Sequence, residues 1–367
     1  MLSGYLSRPA LTGNGSMTYK KIELIVVDDG SENGGEKTVE ALKPYLSKLT
    51  YVYQKNQGIG AAVNKGLSMA SGEYIQRLDD DDKLEKEKIE KCVKVLQEKP
   101  NVGLVATGYH IIYEEENRIR TQMPRSYPQN ARFLFMLMAC ISVQGAVMVR
   151  KSCHDVVGLY RTDILAEDYE MWLRIARIYE VATIEEPLAI YRRHRGNITS
   201  LNLARLERDT VQFVSSYLNE TPFSELIPNI KSKVHGYALK AAVYLLKDGI
   251  YVKTVHLAQQ ELQKASKLAG NEPLLNLWEL VLAVHGDDFT PPSQRASPFF
   301  KGGRGIWGDF GEEKELAKAF LEIIEELKMF KASSLPPESP EMTNFRRRFG
   351  QLRGELIRKT YRKAIEG

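Results

Sequence analysis

Short apolar runs alternate with amphipathic stretches along the chain as far as about residue 205. The runs are ELIVV at 23–27, TYVYQ at 50–54, EYIQRL at 73–78, VGLVATGYHIIY at 102–113 and QGAVMV at 144–149. Their length and their β-branched and aromatic content predict strands. Between the first three, Val39, Leu42 and Leu46 mark one helical stripe, and Val63, Leu67 and Ala70 mark a second. Runs with little polar alternation belong to strands covered on both faces. The strand–helix alternation therefore predicts an α/β domain over 1–205, built on a mostly parallel sheet with helices on both faces. FLFMLMACISVQGAVMV at 133–149 is interrupted by Ser142, Gln144 and Gly145. A buried helix followed by a buried strand fits it better than a membrane span, which needs about 20 apolar residues.

Beyond residue 205 the strand signal fades, and residues 206–284 predict an α-helical region. Within it LAQQELQKASKLAGNEP at 257–273 spaces Ala258, Leu262, Ala265 and Ala269 like the second helix of a tetratricopeptide unit. An ordinary packed helix has the same spacing, and a stacked array needs several units. Residues 285–311, rich in Gly, Pro and Phe, predict a long loop, and 312–367 predict a helix followed by a basic tail.

Composition sharpens this picture in three places. A chain of 367 residues that is 43% hydrophobic can bury a full core and has room for two domains. Net charge is +4, but residues 345–367 hold eight Lys/Arg against two Glu, which leaves the rest near −2. The bulk of the protein is therefore not built for nucleic acid. In the tail, Phe345, Phe349, Leu352 and Leu356 form an apolar stripe among Arg and Lys. That stripe fits either peripheral contact with an anionic membrane or packing on the protein with a solvated basic face. Cys92, Cys140 and Cys153 make no CxxC pair, and the histidines lack metal-type spacing, so neither a disulfide framework nor a structural zinc site is indicated. With no basic-then-apolar leader at its start, the sequence predicts a cytoplasmic location.

The chemistry is concentrated where apolar runs meet acids. EYIQRL leads into Asp79, Asp80, Asp81 and Asp82, and ELIVV leads into Asp28 and Asp29. In open α/β sheets ligands bind beyond the carboxyl ends of the strands. Asp82 and Glu85 have the spacing of a capping box for the helix that carries Ile89, Val93 and Leu96. A cap uses one aspartate, and the helix dipole is worth only about 0.3–1 kcal/mol per exposed charge, too little to explain four. Hard divalent cations take carboxylate oxygens together with substrate phosphates, so the cluster predicts a metal and diphosphate site. VVDDGS by itself reads first as a turn entering a helix, and the second acidic strand end about 50 residues on shifts the balance toward a site. Glu167 and Asp168 open an amphipathic helix, where acids are common in any case. Trp172 on that helix reads as core. Arg192 and Arg193 suit either phosphate or surface carboxylates, and His194 between Arg193 and Arg195 suits either a ligand or a solvated loop. Gly58 and Gly60 do not form a dinucleotide fingerprint.

ELIVVDDGS, NQGIGAAVNKGLSMASGEYIQRLDDDD, EDYEMWLRI and PLAIYRRHRGNIT, taken in order and spacing over residues 20–200, resemble the family 2 glycosyltransferases of GT-A fold. The resemblance implies inverting transfer of a sugar from a nucleotide diphosphate donor, usually a UDP-sugar, with Mn²⁺ or Mg²⁺, to a glycan or lipid-linked acceptor. It implies nucleoside contacts from Asp28 or Asp29, ribose and metal contacts from Asp79 and Asp81, and Asp82 as a substitute metal ligand. It also implies Asp168 beside Glu167 as catalytic base, and His194 near the diphosphate. Relatives begin with an apolar strand that pairs centrally with the one at ELIVV, whereas MLSGYLSRPALTGNGSMTYKK contains no strand candidate, so an N-terminally shortened form is expected. Val63 stands where relatives often carry Arg. Two other readings follow from these departures: an impaired GT-A scaffold whose helical half binds a partner protein, and a nucleotidyltransferase. The latter would need a Gly-rich basic loop after its first strand, and no such loop is visible in the sequence.

Overall fold

The computed structural model describes residues 2–3, 17–124 and 132–226, with isolated positions between 237 and 268. The regions expected at 285–311 and 312–367, including the basic tail, lie outside the described residues, as does most of the 257–273 helix. Described residues up to Phe213, apart from Leu137–Ala139, form one compact unit; Leu137–Ala139 and the residues from Val214 onward belong to a second.

The first unit is built on a nine-stranded sheet. Its strands are β1 (Leu2–Ser3), β2 (Leu24–Asp29), β3 (Thr50–Gln54), β4 (Tyr74–Arg77), β5 (Lys83–Leu84), β6 (Val102–Tyr113), β7 (Arg118–Gln122), β8 (Val147–Arg150) and β9 (Glu180–Arg193). The helices used below are α1 (Glu36–Leu42), α2 (Ile59–Met69), α3 (Lys88–Glu98), α4 (Arg132–Met138), α5 (Cys153–Val157), α6 (Glu167–Ile178), α7 (Ile198–Leu201) and α8 (Leu203–Glu220). The strand order is β3-β2-β1-β4-β8-β6-β9-β5, with β7 paired to β6. The β3-β2, β2-β1, β1-β4 and β6-β9 pairings are parallel. Antiparallel pairings join β4 to β8, β8 to β6, β6 to β7, and β5 to β9. The expected α/β architecture is present, with its parallel character concentrated in the N-terminal half.

Several apolar runs form strands for the reason given by their pattern. β2 buries Ile25, Val26 and Val27 almost completely, and Ile25 and Val27 pack with Ala62, Leu67, Ala70 and Ile75 across the inner side of α2. Ile89, Cys92, Val93 and Leu96 of α3 pack with Val102, Val105 and Met148 in a second cluster. Removing this much apolar surface from water is the main driving term, at about 25 cal/mol per Å². The 133–149 segment is the expected buried helix followed by a buried strand, α4 and then β8.

One expectation is corrected at the sheet's centre. Leu2–Ser3 form a short parallel strand beside both Leu24–Ile25 and Gln76–Arg77. The central position is therefore occupied, although two residues supply too little periodicity to be read from sequence. A second correction concerns Asp82. The following helix starts at Lys88 with Glu87 as its N-cap and no side-chain capping bond, so Asp82 and Glu85 make no capping box. Residues 83–84 are extended instead, because they pair with Ala189 and Ile190 as β5.

Candidate active site

β4 delivers two kinds of residue to one end of the sheet. Arg77 closes the strand with its side chain buried, and the acids Asp79–Asp82 follow in the loop. α6 brings its first turn to the same place. The Arg77 Nη1 donates to Glu167 Oε1 at 2.7 Å, while Nε lies 3.1 Å from Asp79 Oδ1. Both members of the Arg77–Glu167 pair are nearly sealed from water, and Asp79 is partly open. Asp168, the next residue, is only partly buried and accepts the Tyr169 backbone N–H at 2.6 Å. Burial raises the Asp168 carboxyl above its ordinary range, Arg77 pulls it down, and Asp79 pushes it up. Burial likewise raises Glu167, against the opposing effect of Arg77.

The loop beyond β4 meets the end of β9. His194 Nε2 lies 3.0 Å from Asp81 Oδ2, and Asn197 Nδ2 donates to the same oxygen at 2.9 Å. Asn197 also accepts the His194 backbone N–H at 2.6 Å through Oδ1 and donates to the Arg192 carbonyl, so it is the keystone of this turn. Asp82 points elsewhere. Its Oδ1 accepts the Arg192 backbone N–H at 3.0 Å, and burial with the charge of Asp79 pushes its pKa up to about 8. Asp80 is more open, yet partial desolvation and its neighbours Asp81 and Asp79 push it up to about 6. The acids are thus short of positive charge. The Arg192 side chain is held by Glu114 at 2.5 and 2.7 Å, which makes it a carboxylate partner in this structure.

Asp28 and Asp29 lie at the end of β2, separated from β4 in the sheet by β1. Asp28 accepts Ser31 N–H at 2.8 Å and Tyr51 O–H at 2.9 Å. Burial acts to raise its pKa, but those hydrogen bonds outweigh it and hold the group low. Asp29 accepts from Gln54 Nε2, Gln57 N–H and Gly58 N–H at 2.8, 2.9 and 2.9 Å, which fixes the loop leading into α2. Gly30 makes the turn directly after them at φ +91°, where a Cβ would lie 2.6 Å from the Asn56 nitrogen. The structure therefore joins Asp79 with Glu167 and the neighbouring Asp168, and Asp81 with His194, while Asp28 and Asp29 form a separate, internally bonded corner.

Arg77 and Asn197 are the site residues that sequence reasoning passed over. The available signal for Arg77 was a lone cation at the inward end of an otherwise buried strand. Asn197 carried no signal beyond its place in the RGNIT segment. As for metal, no group of three or more His, Cys, Asp or Glu side chains converges among the described residues. Asp81 and His194 do converge, and one carboxylate with one imidazole suits a divalent ion whose remaining positions are filled by substrate phosphates.

The chain is similar to known proteins. Residues 9–157 match the family model described as glycosyl transferase family 2. Over those residues the chain is similar to the family 2 glycosyltransferases. An uncharacterized glycosyltransferase of Rickettsia conorii is 30% identical over 249 residues, which is 66% of this chain and 41% of that protein. One from Rickettsia typhi is 28% identical over 256 residues, 68% of this chain and 79% of the relative. Among solved structures, a mannosyltransferase from Pyrobaculum calidifontis, in complex with GDP-Man and Mn²⁺, superposes with a TM-score of 0.50 at 16% identity, covering 99% of this chain and 86% of that one. At that identity the likeness shows a shared GT-A-like fold. No described helix is long and apolar enough to cross a membrane.

Proposed function

We propose that this chain is a family 2 glycosyltransferase that moves a sugar from a nucleotide diphosphate donor, with UDP as the nucleotide, to a hydroxyl of a glycan or lipid-linked acceptor, with inversion. One observation carries the reading: the acidic end of β4 and the first turn of α6 meet around a single guanidinium, so the groups for donor and acceptor chemistry share one site. Asp168 is the member of the acidic pair that keeps solvent access, and it acts as general base. It takes the proton of the acceptor hydroxyl as that oxygen bonds to the anomeric carbon from the face opposite the leaving group. The bond from that carbon to the diphosphate oxygen breaks, and its electron pair leaves with the nucleotide. Asp79 binds the donor ribose, and Asp28 or Asp29 the base. Asp81 and His194 are the residues that hold Mn²⁺ or Mg²⁺, and the ion's contribution when bound is to offset charge on the departing diphosphate. Asp82, committed to the Arg192 N–H, is left out of that pair. The Mn²⁺ in the mannosyltransferase complex supports a divalent cofactor, and its GDP-Man makes a guanine nucleotide the rival donor to test.

Thermal shift with UDP, UDP-sugars and GDP-mannose, each with Mn²⁺ and with EDTA, tests the assignment in wild type and Asp81→Ala. A donor present at about 100 times its Kd should stabilise the wild type by about 2.7 kcal/mol with Mn²⁺. The stabilisation should shrink in EDTA and in Asp81→Ala. Equal behaviour in all conditions would remove the metal reading, and preference for GDP-mannose would replace the nucleotide.

A further inference from the structure

Arg77 belongs to neither of the roles just assigned. It contacts an acid on each side of the site, Asp79 and Glu167, from the end of a core strand. An exposed arginine could bridge two carboxylates by accident. This one is 6% exposed, and Glu167 is 2% exposed. Stability alone is a weak reason for such a pair, because desolvating two charges offsets most of their attraction and apolar residues of similar volume serve the fold as well or better. Geometry offers a reason. Glu167 and Asp168 are consecutive in the first turn of α6, so anchoring Glu167 to Arg77 fixes the rotation of that turn and the direction in which Asp168 faces. The same guanidinium fixes Asp79, placed on the donor side.

We infer that Arg77 is a positioning residue for glycosyl transfer: through Glu167 it sets the orientation of Asp168, and through Asp79 it ties that base to the donor-binding acids. Glu167 is then the anchor rather than a second base, since its Oε1 is bonded to Arg77 and its carboxylate is almost sealed from solvent. The inference rests on the reading of Asp168 as the base. The charged and titratable groups around Asp168 are Arg77 and Asp79 from β4 and the loop beyond it, Glu167 on its own helix, and the buried Tyr160 phenol from the segment before α6. Arg77 is the cation that this field contributes to the shift of Asp168.

The test uses Arg77→Gln, which keeps donors for hydrogen bonding but no charge, Arg77→Lys, which keeps the charge without the fork, and Glu167→Gln, which removes the anchor's charge. The Asp168 carboxyl is followed by ¹³C NMR titration of Asp-labelled full-length protein, with Asp168→Asn providing the assignment. Arg77→Gln should move the Asp168 midpoint up by about one pH unit or more, Arg77→Lys should bring most of it back, and Glu167→Gln should move it down. In transfer assays Arg77→Gln should lower kcat by about 10-fold or more, with a smaller change in donor KM. The acid limb of its pH profile should move to higher pH, because the base must be ionised to work. An unmoved Asp168 midpoint in Arg77→Gln, or in Glu167→Gln should the arginine variant not fold, overturns the inference. The titration needs no substrate, so a wild type inert toward every nucleotide sugar would defeat the transferase reading while leaving the role of Arg77 to be decided by the midpoints.

Discussion

Of the two acids that open α6, one is spent on an internal arginine and the other keeps an open side. That difference, which the sequence does not display, is what singles out Asp168 over Glu167 as the proposed base. Asp168→Asn preserves size and polarity but cannot take a proton, so transfer should fall by about 10²-fold or more while nucleotide binding by isothermal titration stays as in wild type. Asn197→Ala tests the other corner. It frees Asp81 and the His194 backbone N–H from their shared partner, and should weaken Mn²⁺-dependent nucleotide binding by about 1–3 kcal/mol, read as a rise in Kd. The acids were legible because strand ends followed by carboxylates are unusual. Arg77 and Asn197 were not, because a buried partner across 90 residues in one case and a turn bond in the other leave no local pattern.

At the scale of elements, the runs at 50–54 and 102–113 coincide with β3 and β6: β6 is buried along its first seven residues, and β3, a half-exposed edge strand, is marked by its β-branched and aromatic content. β7 left no such trace because RIRTQ is almost wholly exposed. β9 left little because Glu185, Glu186 and Pro187 interrupt it at a register shift opposite Thr107–Gly108. α2 depends on close approach as well as on its stripe. The Cβ of an alanine at Gly60 would lie 2.1 Å from the Arg161 carbonyl oxygen, and Asn64 one turn later clamps the Tyr160 N–H and C=O at 2.8 Å each. Gly60→Ala should therefore cost about 1–3 kcal/mol in urea unfolding despite its gain in helix propensity. Recovery of full stability would show that the 158–166 segment yields freely.

For the molecule as a whole, pH dependence of stability should carry a signature from His154. Its ring is buried beside Tyr160, and burial lowers its pKa to about 4. The unfolded chain takes up this proton near pH 6.5 and the folded chain does not until about pH 4. Stability is thus complete above pH 6.5 and drains away as pH falls through that window, by about 3 kcal/mol at most. Asp80 and Asp82, with raised pKa values, work in the opposite sense, so the histidine is read as the difference between wild type and His154→Phe. That difference in Tm should narrow or reverse between pH 7 and pH 4.5. The run of β9 has a consequence for motion. From Ala189 to Arg193 it is a ladder partner of β6, which is itself flanked by β7 along Tyr109–Tyr113, and it ends one residue short of His194. The turn that faces Asp81 thus continues a strand that is laddered to β6 and is not a separate flap. Amide hydrogens of Ile190–Arg193 should exchange with solvent more slowly than those of the exposed strand β7, though faster than those of the fully buried Leu104–Ala106. On the proposed reading, a donor entering this corner meets a preformed wall on the β9 side.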